Sequence, residues 1–163
     1  MAITTVVSLL FIAGKKANFA VERKRTEMSR IILNRLDYLR IQKHIREAMS
    51  ARTITATEAE KLTRELNDAT IVEPEEVPKD VVTMNSVVRI SFPDQKKQVQ
   101  FKLVYPDQAN VKENKISIFS PIATALIGYR QGDIVEWIVP SGLTRIRIDE
   151  LIYQPEAAGD YEL

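Results

Sequence analysis

The first half of the chain carries apolar residues at helical spacing. One apolar stripe starts after Asn34, a residue that can cap a helix, and runs to about Ser50. Its members are Tyr38, Ile41, Ile45 and Met49. A second stripe has the 3-4-3 spacing of a coiled-coil seam. It consists of Ala59, Leu62, Leu66 and Ala69. The pattern predicts two amphipathic helices that pair as an antiparallel hairpin.

The segment between these helices, residues 50–57, is β-branched and polar, which is typical of a connector. Its central residues, Arg52, Thr53 and Ile54, form the predicted hairpin tip. Thr55 or Thr57 can cap the second helix, and Glu58 and Glu60 then fall in the first turn, where negative charge is favourable. Each helix has only about four turns and would be marginal alone, so we expect mutual packing to hold the pair together.

The second half alternates apolar and polar residues, which indicates strands with one buried face. The predicted strands cover residues 87–92, 99–105, 115–119, 134–139 and 144–153. A turn at Pro140-Ser141-Gly142 separates the last two. Pro74 and Pro78 stop any helix between the two halves and keep the chain extended there.

One short helix is predicted within the second half, at residues 121–127. Ser120 can accept amide protons of its first turn, and Pro121 loses nothing at the first helical position by lacking an N–H. Gly128 then lets the chain leave the helix through a left-handed conformation.

These elements predict an α+β protein: a short N-terminal antiparallel helical hairpin, then an antiparallel sheet covered by one short helix. The expected boundaries are an N-terminal extension at 1–27, the hairpin at 28–72, a linker at 73–80 and the sheet domain at 81–163.

Three sequence blocks carry a resemblance to a known family. ISIFSPIATALIGYRQGDIVEWIVPSG is similar to the core of the C-terminal domain of bacterial Gre transcript-cleavage factors. PEEVPKDVVTMNSVVRI and the terminal YQPEAAGDYEL resemble the branch of that superfamily named after the regulator of nucleoside diphosphate kinase. The resemblance is close over residues 74–163 and loose over 28–72. It implies an FKBP-like fold for the sheet domain and bacterial RNA polymerase as the partner.

Gre factors stimulate RNA cleavage with two carboxylates at the tip of a long coiled coil, which complete the coordination of a second Mg²⁺. In this chain the tip contains a cation, Arg52, and no carboxylate. Glu58 and Glu60 follow it but diverge on a helix. About sixteen residues per helix give a reach of roughly 24 Å, short for a buried active centre. We therefore expect no cleavage activity and no enzyme.

The resemblance implies that docking on the polymerase, near its secondary channel, is retained. The residues that match the docking surface of Gre factors are Ser120, Pro121, Ile122 and Ala125. A rigid turn presenting Pro121 and Ile122 suits an interface centre. Core packing is the simpler explanation for Leu126 and Ile127. An elongation factor that reactivates stalled complexes is the alternative function.

A non-polymerase binding or isomerase module is a further alternative, because FKBP-type isomerases place an aromatic residue at the floor of their pocket. Trp137 is the candidate, although a core or rim position is the favoured explanation for it. Arg130, Arg145 and Arg147 could meet acidic polymerase surface, although solvated strands commonly carry such charges.

We expect the C-terminal tail to pack back on the domain through its apolar residues. These are Tyr153, Ala157, Ala158, Tyr161 and Leu163.

Composition limits the chemistry. The 163 residues contain no cysteine and a single histidine, His44, which we expect at the surface. We therefore expect no metal site and no cofactor. Residues 73–163 carry ten basic and fourteen acidic side chains, a net charge of −4. Because nucleic-acid binding normally needs a concentrated basic face, we expect no specific nucleic-acid partner. We expect a cytoplasmic monomer.

The segment before Met28 contains an apolar run, residues 3–13, that is too short to span a bilayer. Its basic residues follow the run, the reverse of a secretory signal. We favour a natural translation start at Met28, with a membrane-surface anchor as the alternative.

Overall fold

A helical hairpin and a five-stranded sheet form the part of the chain that the computed structural model describes, residues 31–139 and 142–163, with the backbone alone at 137–139. The hairpin region runs through strand β1 (Ile32–Asn34), helix α1 (Arg35–Ser50), helix α2 (Ala56–Asn67) and strand β2 (Thr70–Val72). Strands β1 and β2 pair in parallel and close the base of the hairpin. This pair was not predicted, because three residues are too few to show a strand pattern.

Both helices begin at the predicted caps. The Asn34 side chain accepts the backbone N–H of Asp37 at 2.7 Å. Thr55, not Thr57, caps α2. Each cap satisfies a donor that has no partner within its own helix, which fixes where the helix starts.

The hairpin buries the predicted stripes with one change. Ala59, Leu62 and Leu66 of α2 are buried as expected. On α1, Ile41 and Ile45 are buried, but the stripe continues through Ala48 and leaves Met49 exposed. At 100° per residue, Met49 lies about 80° around the helix from Ile41, whereas Ala48 lies about 20° away.

The sheet contains β3 (Val87–Phe92), β4 (Lys97–Val104), β5 (Lys115–Ser117), β6 (Ile134–Val139) and β7 (Gly142–Tyr153) in the order β5-β4-β3-β7-β6. The neighbours are antiparallel, as predicted, except that β4 and β5 run parallel. Between them the chain folds through two 3-10 turns, Pro106–Gln108 and Val111–Glu113, and returns to pair in the same direction. Pro140 and Ser141 of the predicted turn lie outside the described residues.

Helix α3 (Pro121–Leu126) covers one sheet face, as predicted, and a single turn, α4 (Pro155–Ala158), follows β7. Buried side chains of the sheet, of α3 and of the hairpin form one continuous apolar cluster. Its fully buried members include Ile41, Val88, Ile90, Leu103, Leu126, Ile146 and Ile148. The hairpin is therefore packed against the rest of the described structure.

The segment predicted as a linker, residues 73–80, contains a 3-10 turn at Pro74–Glu76. Pro74 and Val77 within it are buried, and Glu73 forms an ion pair with Arg35 at 2.8 Å. The boundaries at 28, 73 and 81 stay predictions, because burial alone assigns no domain limit. Met28 and the apolar run at 3–13 lie outside the described residues.

Candidate docking surface and hairpin tip

The surface predicted to dock is held on a rigid base. Ser120 accepts the backbone N–H of Ala123 at 3.3 Å. The Thr124 hydroxyl lies 2.7 Å from the carbonyl oxygen of Ile118 and 3.1 Å from that of Ser120, and it donates to them. These bonds lock the turn between β5 and α3. A surface built on this turn would lose little conformational entropy on binding.

Some residues of this turn and helix are buried in the core, and others are partly exposed to solvent. Ala123, Leu126 and Ile127 are buried, which confirms core packing for the last two. Five residues between Ser120 and Ile127 are half-buried, and four of them are those predicted to dock. We call these four the α3 surface: Ser120, Pro121, Ile122 and Ala125. Ile122 and Ala125 also pack in part against the core cluster.

Gly128 ends this element in the left-handed conformation that the sequence predicts, with φ +79°. Its N–H donates to the carbonyl of Val82 at 2.8 Å, and its own carbonyl accepts the N–H of Ile32 at 3.3 Å. A Cβ at this position would lie 1.9 Å from Cγ2 of Ile31. Only glycine fits, so the start of the hairpin region is held directly against the end of α3.

The hairpin tip is a tight turn around Arg52, which has φ +57° and is exposed. The N–H of Thr53 donates to the carbonyl of Ala48 at 2.9 Å, and Ile54 packs in part against the core cluster. The three predicted tip residues therefore lie in one turn, which contains the exposed cation Arg52.

The two carboxylates nearest the tip are already engaged. Glu58 accepts the backbone N–H of Thr55 at 2.7 Å and its hydroxyl at 2.8 Å, completing a capping box. Glu60 forms an ion pair with Arg64 at 2.9 Å. Within residues 31–139 and 142–163, no group of three or more His, Asp or Glu side chains is placed to hold a metal ion.

Similarity to known proteins identifies the family to which this chain belongs. The profile of the family described as transcription elongation factor GreA/GreB, C-terminal, matches residues 77–153. The regulator of nucleoside diphosphate kinase from Escherichia coli (strain K12) is 41% identical over 82% of this chain and 96% of its own length. The chain belongs to the Gre-like superfamily, in the branch of that regulator.

Two further Gre-family relatives agree. Transcription elongation factor GreA from Clostridium botulinum (strain Eklund 17B / Type B) is 33% identical over 63% of this chain and 64% of its own length. The solved structure of a prokaryotic transcription elongation factor GreA/GreB from Nitrosomonas europaea covers 76% of this chain and 100% of its own, with a TM-score of 0.62 and 36% identity. The Gre-like chain is therefore a transcription-associated factor, and the α+β fold with its Gre C-terminal domain is confirmed.

Sequence reasoning missed a buried polar network beneath the hairpin of this Gre-like protein. Its centre is Asp37, which is 1% exposed. The carboxylate accepts the N–H of Met84 at 3.0 Å and the hydroxyl of Tyr105 at 2.9 Å. Burial, with a smaller contribution from Glu156, raises the pKa of Asp37 to about 7, while the two hydrogen bonds and Arg40 oppose the rise. Burial and the neighbouring Asp37 carboxylate also raise the pKa of Tyr105.

The second carboxylate of the network, Glu156, joins the C-terminal end to the hairpin. It is 8% exposed, accepts from the side-chain amide of Asn34, and accepts the hydroxyl of Thr83 at 2.7 Å. A signal for this network was present in the sequence. Asp37 precedes Ile41 and Ile45 at four-residue intervals, so a carboxylate stands in an apolar stripe.

The C-terminal tail packs back as expected, but the predicted reason was wrong. Gln154 and Glu156 are buried and hydrogen-bonded, whereas Tyr161 and Leu163 are exposed. Arg40 donates to the carbonyls of Glu162, at 2.9 Å, and Leu163. Polar contacts therefore hold the tail, and its apolar side chains contribute little.

His44 keeps part of its side chain, 21%, exposed at the surface. Its ring also stacks on Tyr105, with the ring centroids 5.1 Å apart, a contact that was not predicted.

The three arginines considered for polymerase contact form intramolecular ion pairs. Arg130 pairs with Asp80 at 2.7 Å and Arg145 with Asp94 at 2.6 Å. Arg147 lies 3.8 Å from Asp149. The Arg145 guanidinium also holds the pKa of the Asp94 carboxyl below its usual range. All three arginines are therefore already paired with carboxylates of the same chain.

The side chain of Trp137 lies outside the described residues, so the isomerase alternative stays untested. Among the described helices, none is long and apolar enough to cross a membrane.

Proposed function

We propose that this Gre-like protein is a non-catalytic transcription regulator that docks on bacterial RNA polymerase through its α3 surface, near the secondary channel. The observation that carries the docking proposal is the half-exposed strip of Pro121, Ile122 and Ala125 on a turn pinned by Ser120 and Thr124. Apolar groups on a rigid base favour binding because little conformational entropy is lost. The protein acts as a monomer without a cofactor in this proposal.

The hairpin supports the second part of the proposal, that transcript cleavage is not stimulated. A metal-binding tip needs carboxylates free to coordinate Mg²⁺. Here Glu58 is hydrogen-bonded in the helix cap and Glu60 is paired with Arg64, and the turn itself contains the exposed cation Arg52. The sixteen residues of α1 give a length of about 24 Å. Occupancy of the channel rim would then exclude cleavage factors or small effectors.

Docking is tested by measuring the affinity of the purified protein for RNA polymerase core enzyme. Pro121→Glu places a charge in the centre of the α3 surface, while acidic residues remain acceptable at a helix start. We expect affinity to fall by about tenfold or more, the loss typical of a residue at an interface centre. Val111→Glu is the matched control, because Val111 is 72% exposed and lies outside this surface. Equal affinity of wild type and Pro121→Glu would reject the docking assignment.

The absence of cleavage is tested on stalled elongation complexes with labelled RNA. We expect no shortening of the transcript when this protein is added, and slower cleavage when it is added together with a GreA factor. Shortened RNA with this protein alone would favour the elongation-factor alternative. If a saturating concentration of this protein left the rate of GreA-stimulated cleavage unchanged, the idea of a shared docking site would be contradicted.

A further inference from the structure

A groove with a volume of about 760 Å³ lies between α1, strand β4 and the C-terminal residues. This size falls within the range of small-molecule sites in proteins, about 300–1,000 Å³. Five basic side chains from three elements line it, together with one buried amide. These residues are Arg40, Lys43, His44, Lys102, Lys115 and Asn85. The groove is separate from the α3 surface.

The amide of Asn85 is the most informative group in this groove. Asn85 is 6% exposed and has φ +62°, a conformation that costs energy for a residue with a side chain. Its backbone N–H donates to the carbonyl of Leu103 at 2.7 Å. The Asn85 side-chain amide lines the groove. Its NH₂ group can donate a hydrogen bond to a molecule bound there.

The charges around Asn85 favour an anion. Lys102 has no ion-pair partner in the described part of the chain. Lys43 has only a distant one, Glu47 at 3.6 Å. Lys115 lines the groove but forms an ion pair with Glu113, a residue that lies outside it. Several cations that converge on one concave surface suit a phosphate group, whose oxygens accept multiple charge-assisted hydrogen bonds.

The C-terminal end forms one wall of the same groove. Arg40 holds the carbonyls of Glu162 and Leu163 there. Glu162 also lines the groove, and its carboxylate would compete with an incoming anion for the same cations.

We propose that this groove is a binding site for a small phosphate-bearing molecule. Lys102 and Lys43 neutralise the phosphate, and the Asn85 amide supplies a hydrogen bond. The mild negative charge of residues 73–163 argues against a nucleic acid as the ligand, since such binding needs an extended basic face.

Calorimetric titration of the full chain tests the site, with inorganic pyrophosphate and adenosine monophosphate as probes. We expect Lys102→Ala to weaken pyrophosphate binding about tenfold, because a charge-assisted hydrogen bond is lost. Lys97→Ala is the matched control, since it removes an exposed lysine from the same strand outside the groove. An equal loss in both variants would mean non-specific charge attraction and would overturn the proposal.

Asn85→Gly tests the amide without straining the backbone, because glycine accepts the positive φ. We expect affinity to fall while the midpoint of urea unfolding stays equal or rises. Asn114→Gly is its control, since Asn114 has φ +54° and is exposed outside the groove. Unchanged affinity in Asn85→Gly, or no binding of either probe to the wild type, would reject the site. Tighter binding of adenosine monophosphate than of inorganic pyrophosphate would identify a phosphate ester rather than an inorganic phosphate as the ligand.

Discussion

Replacement of Asp37 by asparagine should change how the stability of the protein depends on pH. The pKa of Asp37 is raised from 3.8 to about 7 by burial. Between pH 3.8 and about pH 7, Asp37 is protonated in the folded protein but has lost its proton in the unfolded chain. The free energy of unfolding therefore decreases as pH rises from about 4 to about 7, by ~1.4 kcal/mol per pH unit for this one group. Across the interval the decrease is about 4 kcal/mol.

Asparagine suits this test because it keeps the shape of the site and removes the titration. Its carbonyl oxygen can accept the N–H of Met84, and its amide can donate to the hydroxyl oxygen of Tyr105. Glu156 and Arg40 also act on this carboxyl, the first raising its pKa and the second lowering it. Both remain present in Asp37→Asn, so the comparison isolates Asp37.

The measurement is urea unfolding of wild type and Asp37→Asn at pH 5, 6, 7 and 8, with linear extrapolation to water. We expect the stability of the wild type relative to the variant to fall steadily up to about pH 7 and then level off. Asp68→Asn, an exposed carboxyl at the end of α2, is the control and should track the wild type. A wild-type curve parallel to that of Asp37→Asn at every pH would refute the assignment of a protonated, buried Asp37.

Two further substitutions test the local geometry. Gly128→Ala places a Cβ against Ile31 at a positive φ, whereas Gly132→Ala has the same strain in open space. We expect Gly132→Ala to cost about 1–2 kcal/mol and Gly128→Ala roughly 1–3 kcal/mol more, by thermal or urea unfolding. Thr55→Ala removes the cap of α2 and should cost about 1 kcal/mol, while Thr57→Ala, which caps nothing, should be nearly neutral. Equal costs within either pair would contradict the corresponding contact.

The helix starts were predictable because capping is local. Asn34, Thr55 and Ser120 each bond a backbone N–H three residues ahead, and such a spacing is visible in any sequence. The strands of the sheet were predictable for the same reason, because the alternation of apolar and polar residues that marks a strand with one buried face is visible within a few residues. Both kinds of signal depend on neighbours in the chain.

The polar network beneath the hairpin was not predictable in the same way. Glu156 meets Asn34 across 122 residues, and Tyr105 meets Asp37 across 68. A single sequence shows that Asp37 interrupts an apolar stripe but not which distant donors satisfy it. The groove was missed for the same reason, because its lysines come from α1, β4 and β5 and meet only in the folded chain.

This network also bears on how the hairpin could act. Asp37 of α1 bonds to Met84 and Tyr105, while Asn34 bonds to Glu156 at the other end of the chain. Breaking a buried, hydrogen-bonded group of this kind leaves its partners unsatisfied, which is costly. The hairpin is thus fixed relative to the sheet at its base by polar bonds as well as by apolar packing. A protein that docks through α3 would then present the tip in one direction, set by its own fold.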